Sequence, residues 1–129
     1  MKGEFMKNLD AIRLLIIAHA LFLGSTAHAH AHLKESSPKA NVVLHAAPVE
    51  VQLIFSENLE SSMSKIEVIN AVTKESVIQG KLEYVGEKKN ILRIELKKLT
   101  LSGKYEVHWK AVSKDTHKME GQYAFALSQ

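Results

Sequence analysis

His28, His30 and His32 alternate with alanine at the point where an apolar stretch gives way to small residues. A histidine inside a chain offers a metal its ring alone, whereas one at the head of a processed chain offers ring and free α-amine to the same ion. Neutral amine and imidazole nitrogens suit Cu(II), which also tops the affinity order of the divalent first-row metals. A second set of donors is Asp115-Thr116-His117, inside the polar segment 113–121. In an extended segment residues two apart point to the same side, so Asp115 and His117 can aim a carboxylate oxygen and an imidazole nitrogen at one point. Thr116 then faces away or bonds the loop. An Asp-x-His arises often by chance, and the plain alternative is a loop ion pair with Lys114 or Lys118.

The histidine cluster has chemical meaning only if the chain is cut, and the first 29 residues have the parts of a secretory signal in the expected order. Lys2, Lys7 and Arg13 form a basic beginning, residues 14–23 (LLIIAHALFL) an apolar centre, and Gly24-Ser25-Thr26-Ala27 a small-residue end. The apolar run is shorter than the ~20 residues a membrane-spanning helix needs. Cleavage after Ala27, Ala29 or Ala31 each satisfies the small-residue rule, and each leaves a histidine first.

Removing residues 1–29 leaves 100 residues, enough for one small domain. That remainder holds 14 Lys and Arg against 12 Asp and Glu, a net charge of +2. The lysines are dispersed, the only doublets being Lys88-Lys89 and Lys97-Lys98, so a nucleic-acid face is not expected. Cysteine is absent, which excludes thiolate metal sites and leaves the core to hold an exported domain together without disulfides.

The elements that must position these donors have a hydrophobic period of two. Val49, Val51, Leu53 and Phe55 alternate with polar residues and Ile54; Leu92, Ile94 and Leu96 alternate with Arg93 and Glu95. Tyr105, Val107, Trp109 and Ala111 share one face, as do Tyr123, Phe125 and Leu127. Weaker strands are expected at 41–44, 65–70 and 77–85. About seven short strands and no long amphipathic helix predict an all-β, immunoglobulin-like sandwich or barrel. Trp109 is expected at its centre, with Tyr105, Phe55, Tyr123 and Phe125 packing beside it. His45 and His108 read as solvent-facing residues, and Met119 as a cap on the core at a loop edge.

With these motifs in order, the chain resembles the periplasmic copper-resistance proteins of the CopC type. The resemblance rests on His30-Ala31-His32-Leu33 followed by Ser36-Ser37-Pro38, on Leu53-Ile54-Phe55-Ser56-Glu57, and on the stretch from Gly103 through Trp109 to Asp115-Thr116-His117 and Gly121. It implies a small Greek-key β-barrel or sandwich over 30–129. It further implies a mature chain starting at His30, with cleavage after Ala29, because His30 then stands at the family's spacing from Pro38. By the same resemblance the amine and ring of His30, the carboxylate of Asp115 and the ring of His117 bind Cu(II), and His32 adds a nitrogen in some members. Some relatives carry a methionine-rich segment that binds Cu(I); here only Met63 and Met119 survive processing, and 70–80 contains no methionine or histidine.

The expected function is therefore a periplasmic, monomeric Cu(II) carrier or buffer, not an enzyme, with an inner-membrane copper transporter of the CopD type as the partner the resemblance implies. Acid should weaken the metal, because the α-amine has an ordinary pKa near 7.7–8.0 and copper must displace its proton. Two rivals remain. A histidine-brace copper oxidase acting on polysaccharide would need an open copper position where Asp115 stands and a row of sugar-binding aromatics that this short domain lacks. An immunoglobulin-like interaction module could bind Cu(II) or Ni(II) incidentally, through amine, amides and the third-residue histidine of His30-Ala31-His32.

Overall fold

The computed structural model describes residues 32–87 and 89–129. Alternating side chains in these segments bury one face of each strand, and two such faces close on each other. Eight strands result: β1 (Leu33–Ser37), β2 (Val43–Leu44), β3 (Glu50–Phe55), β4 (Lys65–Asn70), β5 (Ile78–Val85), β6 (Ile91–Leu96), β7 (Gly103–Val112) and β8 (Lys118–Leu127). One sheet has the order β1-β3-β6-β5 and the other β2-β8-β7-β4. The all-β sandwich expected from the period is thus observed.

The inner faces follow the alternation. Val51, Leu53 and Phe55 of β3 and Leu92, Ile94 and Leu96 of β6 meet Ile66 and Val68 of β4, Tyr105 and Val107 of β7, and Phe125 and Leu127 of β8. Tyr105 stacks on Phe125 with ring centroids 5.5 Å apart, and its hydroxyl donates to the Leu101 carbonyl at 2.7 Å. Burial of this apolar area, worth roughly 25 cal/mol per Å², is what holds a cysteine-free domain together.

Three details differ from the sequence reading. Strand β1 contributes an edge that the period could not reveal, because Leu33 is the one apolar residue in Leu-Lys-Glu-Ser-Ser; backbone pairing with β3 makes it a strand. Val49, expected on the buried face, precedes β3 and is 76% exposed. Trp109 lies at the margin of the core, half-buried, its ring edge-on to Phe55 at 5.2 Å. A Cβ on Gly121, its neighbour across the β7–β8 ladder, would fall 2.5 Å from the indole, so only glycine fits there.

Candidate metal centre

Strands β7 and β8 form one long hairpin, paired from Gly103↔Leu127 to Val112↔Lys118. The turn that closes it is Ser113-Lys114-Asp115-Thr116-His117 and is not extended. The Thr116 N–H donates to the Ser113 carbonyl at 2.9 Å, and the Ser113 N–H to the His117 carbonyl at 3.0 Å. Thr116 takes φ +71°. A turn followed by one left-handed residue is a standard way to close a short hairpin, yet a β-branched side chain is strained there. Such strain clusters at functional positions.

Folding the turn this way brings Asp115 and His117 against each other. His117 Nδ1 lies 2.7 Å from Asp115 Oδ2. The side chains remain 58% and 55% exposed, so both are reachable from solvent. The other carboxylate oxygen accepts a hydrogen bond from the Ser113 hydroxyl. Ser113 is itself buried, with its Oγ 3.3 Å from the His117 carbonyl. The Ser113 hydroxyl foremost, and then His117, hold the Asp115 carboxyl down at about 2, well below the usual carboxylate range. The carboxylate is therefore ionised at any physiological pH. Its partners are His117 and Ser113, and among the described residues it makes no ion pair with Lys114 or Lys118.

The ring geometry has a chemical consequence. When Nδ1–H of the neutral imidazole is donated to Asp115, the lone pair sits on Nε2, the nitrogen a metal would take. A carboxylate that fixes a histidine in this way also raises its basicity as a ligand. The pair can thus offer nitrogen to a cation with a negative charge alongside, or offer nitrogen and oxygen together once the carboxylate turns.

The beginning of the described chain is brought to the same end of the sandwich by the β3–β4 connection. His32 N–H donates to Ser56 Oγ at 3.0 Å, and the Ser56 N–H donates to the His32 carbonyl at 2.9 Å. Two residues on, the Asn58 carbonyl accepts from the Lys114 N–H at 3.1 Å, Leu59 bridges Ser113, and the Glu60 N–H donates to the Val112 carbonyl at 2.7 Å. Only about 7 Å of extended chain separates Ser56 from Asn58. His32 therefore enters at the pole that carries the turn.

Of the four residues expected to bind metal, Asp115 and His117 stand together, His32 lies at the same pole, and His30 lies outside the described residues. The described residues contain no group of three or more His, Cys, Asp or Glu able to hold a metal; the turn brings two such side chains together, Asp115 and His117. Ser113 and Ser56 were not singled out from the sequence as site residues. The spacing Ser-x-Asp-x-His was the available signal for Ser113, since a hydroxyl two residues before a turn aspartate is placed to bond it. His45 is exposed, His108 on the outer face of β7 has Nε2 3.4 Å from Glu106 Oε2, and Met119 packs against the core.

A two-sheet sandwich with a donor-bearing turn at one pole, where β1 begins, defines the class as a small all-β domain. Residues 33–128 match the CopC domain, and the chain belongs to that family. It is 34% identical over 108 residues to "Copper resistance protein C" of Escherichia coli, covering 79% of this chain and 84% of that protein. It is 31% identical over 116 residues to "Copper transport protein CutJ" of Bacillus subtilis (strain 168); that match covers 90% of this chain but only 21% of the much longer relative. Among solved structures it is similar to CopC from Methylosinus trichosporium OB3b, with a TM-score of 0.69 and 29% identity over 77% of this chain and 94% of that one.

Proposed function

We propose that residues 1–29 are removed as a secretory signal and that domain 30–129 binds one Cu(II) in the periplasm. The ligands in this reading are the amine and imidazole of His30, the imidazole of His117 and the carboxylate of Asp115, with His32 as a further nitrogen. The role is that of a monomeric buffer or carrier, serving an inner-membrane copper transporter of the CopD type, and not that of an enzyme. The observation that carries the reading is the Asp115–His117 pair, with its ionised carboxylate, on a strained turn at the pole where His32 enters. Membership of a family whose relatives are named for copper resistance and copper transport supports it.

The donor set fits Cu(II) chemically. Nitrogen and carboxylate ligands are hard enough for the divalent ion, and with no cysteine and two methionines in 30–129 there is little for soft Cu(I). Reduction should therefore loosen the metal. The deciding experiment is a competition titration against a calibrated chelator, on protein beginning at His30 and on protein with Gly placed before His30. Loss of most of the affinity in the extended protein is expected; equal affinities would sink the reading. Ascorbate should speed copper loss to a Cu(I) chelator, and sustained peroxide-dependent cleavage of chitin or cellulose would favour the oxidase instead.

A further inference from the structure

Strand β4 stops short of the Asp115 turn. Its last pairing with β7 is Lys65↔Lys110, while β7 runs on to Val112. Val112 and Ser113 are each 1% exposed, so their backbone groups must find partners inside the protein. On one side β8 supplies them, through the Ser113 N–H and the His117 carbonyl. On the other side the place of a strand is taken by residues 58–64, which fold back through a single 3₁₀ turn, Ser61–Met63.

Backbone contacts from Asn58, Leu59 and Glu60 cover the Lys114 N–H, Ser113 and the Val112 carbonyl. The Val112 N–H is left over, and a side chain takes it: it donates to Ser64 Oγ at 3.2 Å. The Ser64 hydroxyl in turn donates to the Glu60 carbonyl at 3.0 Å. Glu60 and Ser64 flank the 3₁₀ turn, so one hydroxyl ties its two ends to each other and to β7. Tyr84 of β5 brings its hydroxyl from the other sheet to hydrogen-bond Ser64 as well. The Val112 N–H lies one residue ahead of Ser113, whose hydroxyl holds Asp115 Oδ1, and Asp115 Oδ2 holds His117 Nδ1 at 2.7 Å. A shift of the peptide that Ser64 restrains is therefore carried into the Ser113 hydroxyl and from there into both donors.

We propose that Ser64 is a positioning residue for the Asp115–His117 pair: its hydroxyl clamps the end of β7 to the β3–β4 connection and so fixes the Ser113 hydroxyl that orients both donors. The effect expected on copper rests on the function proposed above; the effect on the pair itself does not. The test compares protein beginning at His30 with its Ser64→Ala, Ser64→Thr and Asn70→Ala variants. Ser64 is extended, at φ −91° and ψ 152°, which suits a β-branched residue, so Ser64→Thr keeps both hydroxyl and backbone. Asn70→Ala removes a turn acceptor at the other pole and registers lost stability alone. In the metal-free proteins, nitrogen NMR of the neutral His117 ring should find the Nδ1–H form in the wild type, Ser64→Thr and Asn70→Ala, and a mixture with the Nε2–H form in Ser64→Ala. In chelator competition Ser64→Ala should bind Cu(II) about tenfold more weakly, with an altered paramagnetic resonance spectrum, while the other three agree. An unchanged His117 ring in Ser64→Ala, a threonine variant that behaves like alanine, or an equal response to Asn70→Ala would each overturn the clamp. Should the wild type itself fail to bind Cu(II), the copper function falls, and the ring spectra still decide the clamp.

Discussion

The turns at 113–117 and 70–75 occupy opposite poles of the same sheet, and each is folded around a side-chain oxygen. Asp115 Oδ1 accepts from the Ser113 hydroxyl, and Asn70 Oδ1 accepts from the N–H groups of Val72 and Thr73. Each turn includes a left-handed residue, Thr116 at φ +71° and Lys74 at φ +61°. The difference lies in charge and burial. Asp115 is exposed, ionised and paired with an imidazole, whereas Asn70 is neutral, buried and close to two lysines. The atom that differs between aspartate and asparagine, together with the neighbours each turn recruits, decides whether the turn carries a charge at the surface.

The largest effect should come from neutralising the charged turn. Asp115→Asn leaves the shape intact but should reduce Cu(II) affinity about 100-fold, as measured by chelator competition. An unchanged affinity would remove the turn from the site. Asn70→Ala is expected to behave in the reverse manner, costing about 2 kcal/mol in urea unfolding because two turn N–H groups lose their acceptor, while copper binding is untouched.

Ser113→Ala should cost about 1 kcal/mol and raise the Asp115 carboxyl from about 2 toward the ordinary aspartate value of 3.8, as read by NMR of the side-chain carboxyl. The sign follows from the depression. A carboxyl held low in the folded state adds stability above the ordinary carboxylate range and loses it as the pH falls to about 2, so the variant should lose part of that acid-dependent component. The smallest effect concerns strain. Thr116→Asn should stabilise by about 0.5–1 kcal/mol, and Lys74→Asn by less, because lysine is not β-branched at its left-handed position. Equal gains would show that β-branching adds no strain at 116.

The sequence made the sheets legible wherever one face was apolar and the other polar, as in β3, β6, β7 and β8. It was silent on β1, whose residues are held by backbone pairing rather than by burial. The Asp115 and His117 pair was visible as a motif, but its geometry was not. Extended spacing predicts two side chains on one side presenting oxygen and nitrogen to a common point; the left-handed Thr116 instead closes a turn in which they meet each other. Trp109 was read as the centre because of its size, yet size says nothing of distance from the sandwich end, and Tyr105, Phe55 and Phe125 take the middle.

The two hydrogen bonds between His32 and Ser56 also act as a ruler on the amino terminus. If the mature chain begins at His30, its amine is leashed by two residues to a fixed anchor, within about 7 Å of it. So short a leash keeps the ligand at the high local concentration of an intramolecular partner. Cutting after Ala27 would add slack, and cutting after Ala31 would place the amine itself on Ser56. Inserting two or four residues between His30 and His32 should therefore reduce affinity in steps, with copper binding reporting the length of the tether.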